Sequence, residues 1–260
     1  RDIPPDQLDT VKALPDVTVQ DVVGYTINMI AMVNKKAPFN DPKIREAVSK
    51  AIDYASIMTN LVKDTGVQAH ASNVPSTMPH SAEDVLQPVA YDVAGAKAAL
   101  AASSQPNGFE TTLTVDSESS LRVAEAQAVQ QMLAAINVKV NINKIPQADR
   151  ITLLQSGDYE GMVFHEWGAD FPDANAMLLP LFHSRNFPPQ NNQSFYSNPD
   201  VDKAMNAAIA ESDLDKAATM WADIDRTIMQ DAPMVPIITL FASGMRGSAV
   251  SNYFIPGFPP

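Results

Sequence analysis

Residues 109–142 spell out strand, helix and strand with little between them. Phe109, Thr111, Leu113 and Val115 alternate with Glu110, Thr112 and Thr114, the period of a strand. Ser119 or Ser120 then opens a long helix with Val123, Ala126, Val129, Met132, Leu133 and Ile136 on one side, and Asn137 stands where a left-handed C-cap is wanted. Val138, Val140 and Ile142 alternate again. Such short connections around one helix make a βαβ unit, so its strands are expected to be parallel, joined by a right-handed crossover. The fold class that follows is α/β, a sheet with flanking helices.

The flanking sequence continues the pattern. Leu8, Val11 and Leu14 have helical spacing up to Pro15 and Asp16, and residues 25–33 (YTINMIAMV) form an apolar run of strand length. Asp41 is a good N-cap with Pro42 at the first helical position, where no N–H is needed, and Ile44, Ala47, Val48, Ala51 and Ile52 mark one buried face. Asp53 caps a short helix through Leu61, with Gly66 beyond its end, and Asp92 caps another to about Ser103. Between them, residues 67–90 carry Pro75, Pro79 and Pro88 with no sustained period and read as a long surface excursion, either functional or a structural wrap. Asn107-Gly108 turns the chain into the βαβ unit. After it come a helix at 148–156 ended by Gly157, a third strand at 159–166, helices at 174–182, 200–210 and 213–230, and a last strand at 235–241 after Pro233.

The third strand runs into HEWGADFPD, residues 165–173. In open α/β sheets ligands sit beyond the carboxyl ends of strands, which places this cluster, and Asp116-Ser117-Glu118 after the first strand of the unit, where a ligand belongs. A cluster of this kind suits three chemistries: paired catalytic acids, a metal held by His and carboxylate, or a cation gripped by Trp and acid. Asp170 and Asp173, three residues apart, do not sit on opposite sides of a substrate as glycoside hydrolysis needs. No Ser-His-Asp motif, Gly-rich phosphate loop or H-E-x-x-H accompanies them, so catalysis is not expected. The four histidines, His70, His80, His165 and His183, form no i, i+4 pair, and neither a metal site nor a cofactor is expected. Asp173 before Ala174 reads as an N-cap, Trp167 as either a core residue or a ligand wall, and His165 as sharing the face of Trp167 in a strand.

Charge and composition remove further classes. With 18 Lys and Arg against 30 Asp and Glu the net charge is -12, which repels nucleic acid and anionic lipid. No apolar run reaches the roughly 18 residues of a membrane span, and the absence of cysteine excludes disulfides and thiolate chemistry. The opening RDIPPDQLDTVKALPD has neither Met nor an apolar signal segment, and NYFIPGFPP closes on residues that normally pack, so the chain reads as a piece of a longer protein.

Seven stretches then carry a resemblance: PFNDPKIREAVSKAID, YDVAGAKAAL, FETTLTVD, AEAQAVQQMLAAINVKVNI, WGADFPD, YSNPDVDKAM and DAPMVPI. In order and spacing they resemble the bacterial extracellular solute-binding proteins, family 5, the dipeptide-, oligopeptide- and nickel-binding proteins of ABC importers, over nearly the whole chain. The resemblance implies one lobe of a periplasmic-binding-protein clamshell with a mixed sheet. Residues 35–232 would form the ligand-binding lobe, 1–34 a flank belonging to the other lobe or hinge, and 233–260 a return strand and tail toward it. It also implies a periplasmic or extracellular protein, possibly lipid-anchored, whose partners are a peptide or small-molecule ligand and the permease subunits, with a nickel or other metal chelate or an oligosaccharide as the alternative ligand. On the W-x-x-D pattern it places the acid that bonds a peptide's free α-amino group at Asp170. Trp167 would supply a wall, Gly168 and Ala169 backbone for an added strand, and Phe171, Asp116 and His165 further contacts. One departure stands out: dipeptide-binding relatives carry an Arg near the end of the FETTLTVD strand, whereas this chain has Asp116-Ser117-Glu118, an acidic lip that would repel a free carboxylate, and its first Arg, Arg122, falls inside the helix.

Overall fold

The computed structural model describes residues 7–62, 66–69 and 71–250. His70 and the closing NYFIPGFPP lie outside them. Local chemistry sets most element starts. After α1 (Leu8–Lys12) and β1 (Val17–Met32), Asp41 accepts from the Lys43 N–H to open α2 (Pro42–Lys50), and Asp53 accepts from Ser56 N–H to open α3 (Tyr54–Ile57), which runs on as a π-helical turn over Met58–Val62. A short β2 (Gly66–Gln68) follows, and Asp92 caps α4 (Val93–Ala101) through the Gly95 N–H. The βαβ unit comprises β3 (Phe109–Asp116), α5 (Ser120–Ala134) and β4 (Val138–Ile145). Ser119 caps α5 through the Arg122 N–H, and Asn137 takes the left-handed conformation (φ 61°) that returns the chain to β4. Gly108 enters β3 beside Asn137, where a side chain would lie 2.0 Å from the Asn137 carbonyl oxygen.

Then come α6 (Gln147–Ser156), β5 (Met162–Gly168), α7 (Asn175–Phe182), α8 (Pro199–Ala210), α9 (Leu214–Asp231) and β6 (Met234–Gly247). The sheet has the order β2-β6-β1-β5-β3-β4. β3 is parallel to β4 and β5, as the βαβ reading requires, while β1 is antiparallel to β5 and β6. One face buries Ile30, Met32, Leu113, Val115 and Phe164 against Ile44 and Val48 of α2, Leu100 of α4 and Val129 and Leu133 of α5. The other buries Ile27, Met29 and Val163 against Leu154, Leu178, Phe182, Met205, Trp221 and Ile224 from α6 to α9. This strict alternation along β1 fixes its register, since a one-residue slip would exchange the two cores.

Two sequence readings need correction. β1 begins at Val17 rather than residue 25, because Val17–Val23 pairs with Phe241–Gly247 in a two-stranded ribbon that runs past the sheet. The register shifts between Val23 and Ile27, a bulge at the point where the ribbon leaves. The excursion after residue 67 is not confined to the surface. It starts as β2, and Ser72, Asn73, Val74 and Met78 are buried. Asp225 of α9 holds it by accepting from Ser72 Oγ at 2.6 Å and Asn73 Nδ2 at 2.8 Å.

Candidate functional site

The carboxyl ends of the parallel strands β3, β4 and β5 lie on one side of the sheet, the side from which the β1–β6 ribbon departs. At the end of β5 the chain leaves Gly168 into a braced loop. The Ala169 N–H still donates to the Tyr25 carbonyl at 3.3 Å, extending the pairing with β1. Trp167, half-buried against the α6–α9 core, donates its Nε1–H to the Ala176 carbonyl at 2.8 Å. Asp173 stands one residue before the N-cap position, Ala174, and accepts from the Asn175 N–H at 2.9 Å, and its other oxygen lies 3.1 Å from His80 Nδ1. Between these fixed points Asp170 is exposed, and no hydrogen bond or ion pair engages its carboxylate among the described residues. Phe171 beside it is 45% exposed.

The end of β3 is built differently. Asp116 is 2% exposed and accepts from Arg122 Nη1 at 2.7 Å and the Ser119 N–H at 3.0 Å, with Arg150 Nε at 3.7 Å. Burial pulls its carboxyl up, but the hydrogen bond and charge of Arg122, with the charge of Arg150 and the Ser119 N–H behind them, outweigh it and hold the group below the usual carboxylate range. Arg122 bridges onward to Glu166 of β5. Of the expected acidic lip, Glu118 stays exposed, while Asp116 is therefore withdrawn from the surface. The carboxylate is enclosed and neutralised by two guanidiniums, and it acts on the site by fixing Arg122. The sequence placed Arg122 in the helix correctly but did not reveal its reach back to two carboxylates.

His165 shares the face of Trp167, with ring centroids 6.5 Å apart, and is buried with Nε2 unpartnered. Burial, then the charge of Arg150, depresses its pKa to about 3, so it is neutral at any physiological pH. On the opposite face Glu125 and Asn28 are buried, and no well-formed hydrogen bond reaches either side chain. Burial pushes the Glu125 carboxyl up to about 8, against the pull of Arg122 and the Asn28 amide. Sequence reasoning passed over Glu125, His80 and Arg150. Only Glu125 left a local trace, a charged residue on the apolar stripe of α5. His183, just past the end of α7, accepts from the Arg185 N–H and pairs with Asn206 at the α7–α8 junction. Among the described residues no group of three or more His, Asp or Glu side chains converges as metal ligands.

Comparison with known proteins decides the family. The model of the bacterial extracellular solute-binding proteins, family 5 Middle, matches residues 1–189. The chain belongs to this family. Among curated family members, the glutathione-binding protein GsiB of Salmonella typhimurium is 32% identical over 215 residues, 80% of this chain and 41% of that protein. GsiB of Pectobacterium atrosepticum is 29% identical over 233 residues, 87% of this chain and 44% of that protein. The chain thus spans about two-fifths of the length of these relatives. Among solved structures, the periplasmic binding protein DppA from Helicobacter pylori in complex with the peptide STSA superposes with a TM-score of 0.89 at 24% identity, over 96% of this chain and 48% of that one. A dipeptide-binding protein from Pseudoalteromonas sp. SM9913 in complex with Met-Leu gives 0.85 at 22% identity, over 98% and 50%. The fold is therefore that of about half of a periplasmic binding protein, with the mixed sheet and flanking helices expected of a family 5 lobe. No described helix is long and apolar enough to cross a membrane.

Proposed function

We propose that this family 5 protein is the substrate-binding component of an ABC importer, a non-enzymatic carrier that captures a peptide between two lobes and delivers it to its permease. The observation that carries the reading is the free, exposed carboxylate of Asp170 on a loop braced at both ends, on the side of the sheet where the β1–β6 ribbon leaves. A peptide's α-ammonium supplies the partner this carboxylate lacks, in a charge-assisted hydrogen bond roughly twice as strong as a neutral one. Enclosure by a second lobe strengthens it further by excluding water. Both the dipeptides and the glutathione named for the relatives carry a free amine of this kind, which supports a small peptide as the ligand.

The neighbouring groups suit the same ligand. Trp167, locked by its bond to Ala176, offers a fixed wall, and Phe171 an apolar surface beside the amine anchor. β3 pairs with β5 only at Met162 and Val163, so the last residues of β5, through Gly168 and Ala169, are open on that side to an added peptide strand. Arg122 is held by Asp116 and Glu166 at the ends of β3 and β5, so the strand-end arginine of dipeptide-binding relatives has no free counterpart there. His165, buried and neutral, supports Trp167 from below.

The ribbon and its bulge between Val23 and Ile27 are suited to carry the chain toward the second lobe, as the flanking segments 1–34 and 233–260 were expected to do. Closure then follows from differential affinity: a ligand touching both lobes binds the closed form more tightly and shifts the hinge equilibrium toward it. An exported protein, periplasmic or held at the surface by a lipid, is the setting this role requires. The test is to titrate a free-amine peptide into the intact protein and into the isolated 260 residues. The account expects the isolated chain to fold and to bind at least ~100-fold more weakly, the scale of a missing charge partner and enclosure. Near-equal affinity would refute capture between two lobes.

A further inference from the structure

The end of the sheet opposite Asp170 holds a cavity of about 640 Å³, within the ~300–1,000 Å³ typical of small-ligand sites. Asn34, Lys35, Arg45, Phe187, Phe195 and Tyr196 are among its lining residues. Arg45 is 7% exposed, a rare burial for a guanidinium. Its Nε donates to the Asp231 carbonyl at 2.8 Å and its Nη1 to the Phe39 carbonyl at 2.9 Å, while no hydrogen bond engages Nη2 among the described residues. Asp231 also lines the cavity and, with Asp41, offsets the Arg45 charge through space, but it makes no side-chain hydrogen bond to the guanidinium: its Oδ2 accepts from Tyr196 Oη at 2.5 Å and Asn198 Nδ2 at 3.1 Å. Lys35 Nζ donates to the Gly157 carbonyl at 3.0 Å and sits 3.4 Å above the Phe195 ring, and Phe187 packs against Phe195 with centroids 5.6 Å apart.

A buried cation is ordinarily balanced by a hydrogen-bonded anion, and Arg45 donates only to neutral carbonyls. We propose that this cavity is a second binding site, for a small organic carboxylate with a flat apolar body. The carboxylate takes the spare N–H of Arg45 and the charge of Lys35, the two cations that line the cavity. The body rests on the aromatic wall of Phe187, Phe195 and Tyr196, and the Asn34 amide stands at the mouth. The cavity shares no residue with the Asp170 loop and lies at the far end of every strand that leads to it, so its occupancy is independent of peptide capture.

The test is isothermal titration of the intact protein with benzoate as the probe, acetate and inorganic phosphate as comparators, and Asp170→Asn and Lys35→Glu as variants. Lys35 is exposed, so the charge reversal leaves folding intact, which the melting temperature of the free variant checks. Saturable one-to-one binding of benzoate is expected, unchanged in Asp170→Asn and weakened at least about ten-fold in Lys35→Glu, the scale of removing one charge-assisted hydrogen bond. Absence of saturable binding, retention in Lys35→Glu, or abolition in Asp170→Asn would each overturn the assignment. Acetate or phosphate binding as tightly as benzoate would overturn the aromatic part of the site.

Discussion

Two corners of one sheet edge carry aspartates of opposite character. Asp116, at the end of β3, is buried between Arg122 and Arg150, and Arg122 is shared with Glu166. Asp170, just past the end of β5, is exposed and unbonded on a loop fixed by Trp167 and Asp173. A carboxylate already satisfied inside the protein gains little from a ligand, whereas one held in position but unpaired gains the whole interaction. On the proposed reading the edge is divided, with one corner using its charge for rigidity and the other leaving it for a solute.

The sharpest way to break this contrast is at the closed corner. Asp116→Ala removes the buried anion nearest Arg150 and leaves Arg122 with Glu166 alone, and a loss of ~3–5 kcal/mol in folding stability is expected, read by denaturant unfolding. A loss under ~1 kcal/mol, the range of an exposed pair, would place Asp116 with the surface charges instead. Its pH signature follows from the depressed folded pKa: the stabilisation is full above the unfolded value near 4 and disappears as pH falls through the lower folded value. The Ala variant should show a correspondingly flatter acid limb.

Beneath the same corner, Glu125 has the opposite sign. Its folded pKa, about 8, lies above the unfolded value, so the folded state keeps a proton that the unfolded chain releases, and stability falls as pH rises from about 4.5 to 8. Glu125→Gln should therefore stabilise at pH 8 by ~1–3 kcal/mol, the scale of a buried polar group relieved, and be nearly neutral at pH 4. A variant less stable than the parent at pH 8 would show that the ionised form is accommodated. His165, under the open corner, has a folded pKa of about 3 against about 6.5 unfolded, so its contribution fades progressively as pH falls below 6.5. His165→Phe should reduce the drop in melting temperature between pH 6 and 4. The smallest effect is expected at the brace: His80→Ala removes one half-buried interaction with Asp173, with a stability change of about 1 kcal/mol or less.

What the sequence made legible follows the range of the chemistry involved. Asp41, Asp53, Asp92 and Ser119 were readable as caps because each bonds an N–H only two or three residues on. The βαβ unit and the left-handed Asn137 were readable for the same reason, as was the loop bearing Asp170. The first half of β1 was not: in a two-stranded ribbon Val17 to Asp21 are only partly buried or exposed, and the alternation of Val17 and Val19 with Thr18 and Gln20 is too short to mark a strand before Asp21 breaks it. Pairings across long separations were also hidden, as with Arg122 to Glu166 over 44 residues and Ser72 to Asp225 over 153. These hidden pairings drew Asp116 out of the expected acidic lip into a neutralised corner and tied the proline-rich excursion into the core.

The measurement closest to the central claim is a titration of the intact protein with free-amine peptides and their N-acetylated counterparts, repeated on Asp170→Asn. The account predicts binding to the parent that acetylation weakens by ~100-fold or more, the cost of truncating one partner of an enclosed charge pair, and an Asp170→Asn variant that folds normally but no longer distinguishes the two forms. Equal affinity for free and acetylated peptides in the parent would contradict it, and would remove Asp170 as the group that holds the solute.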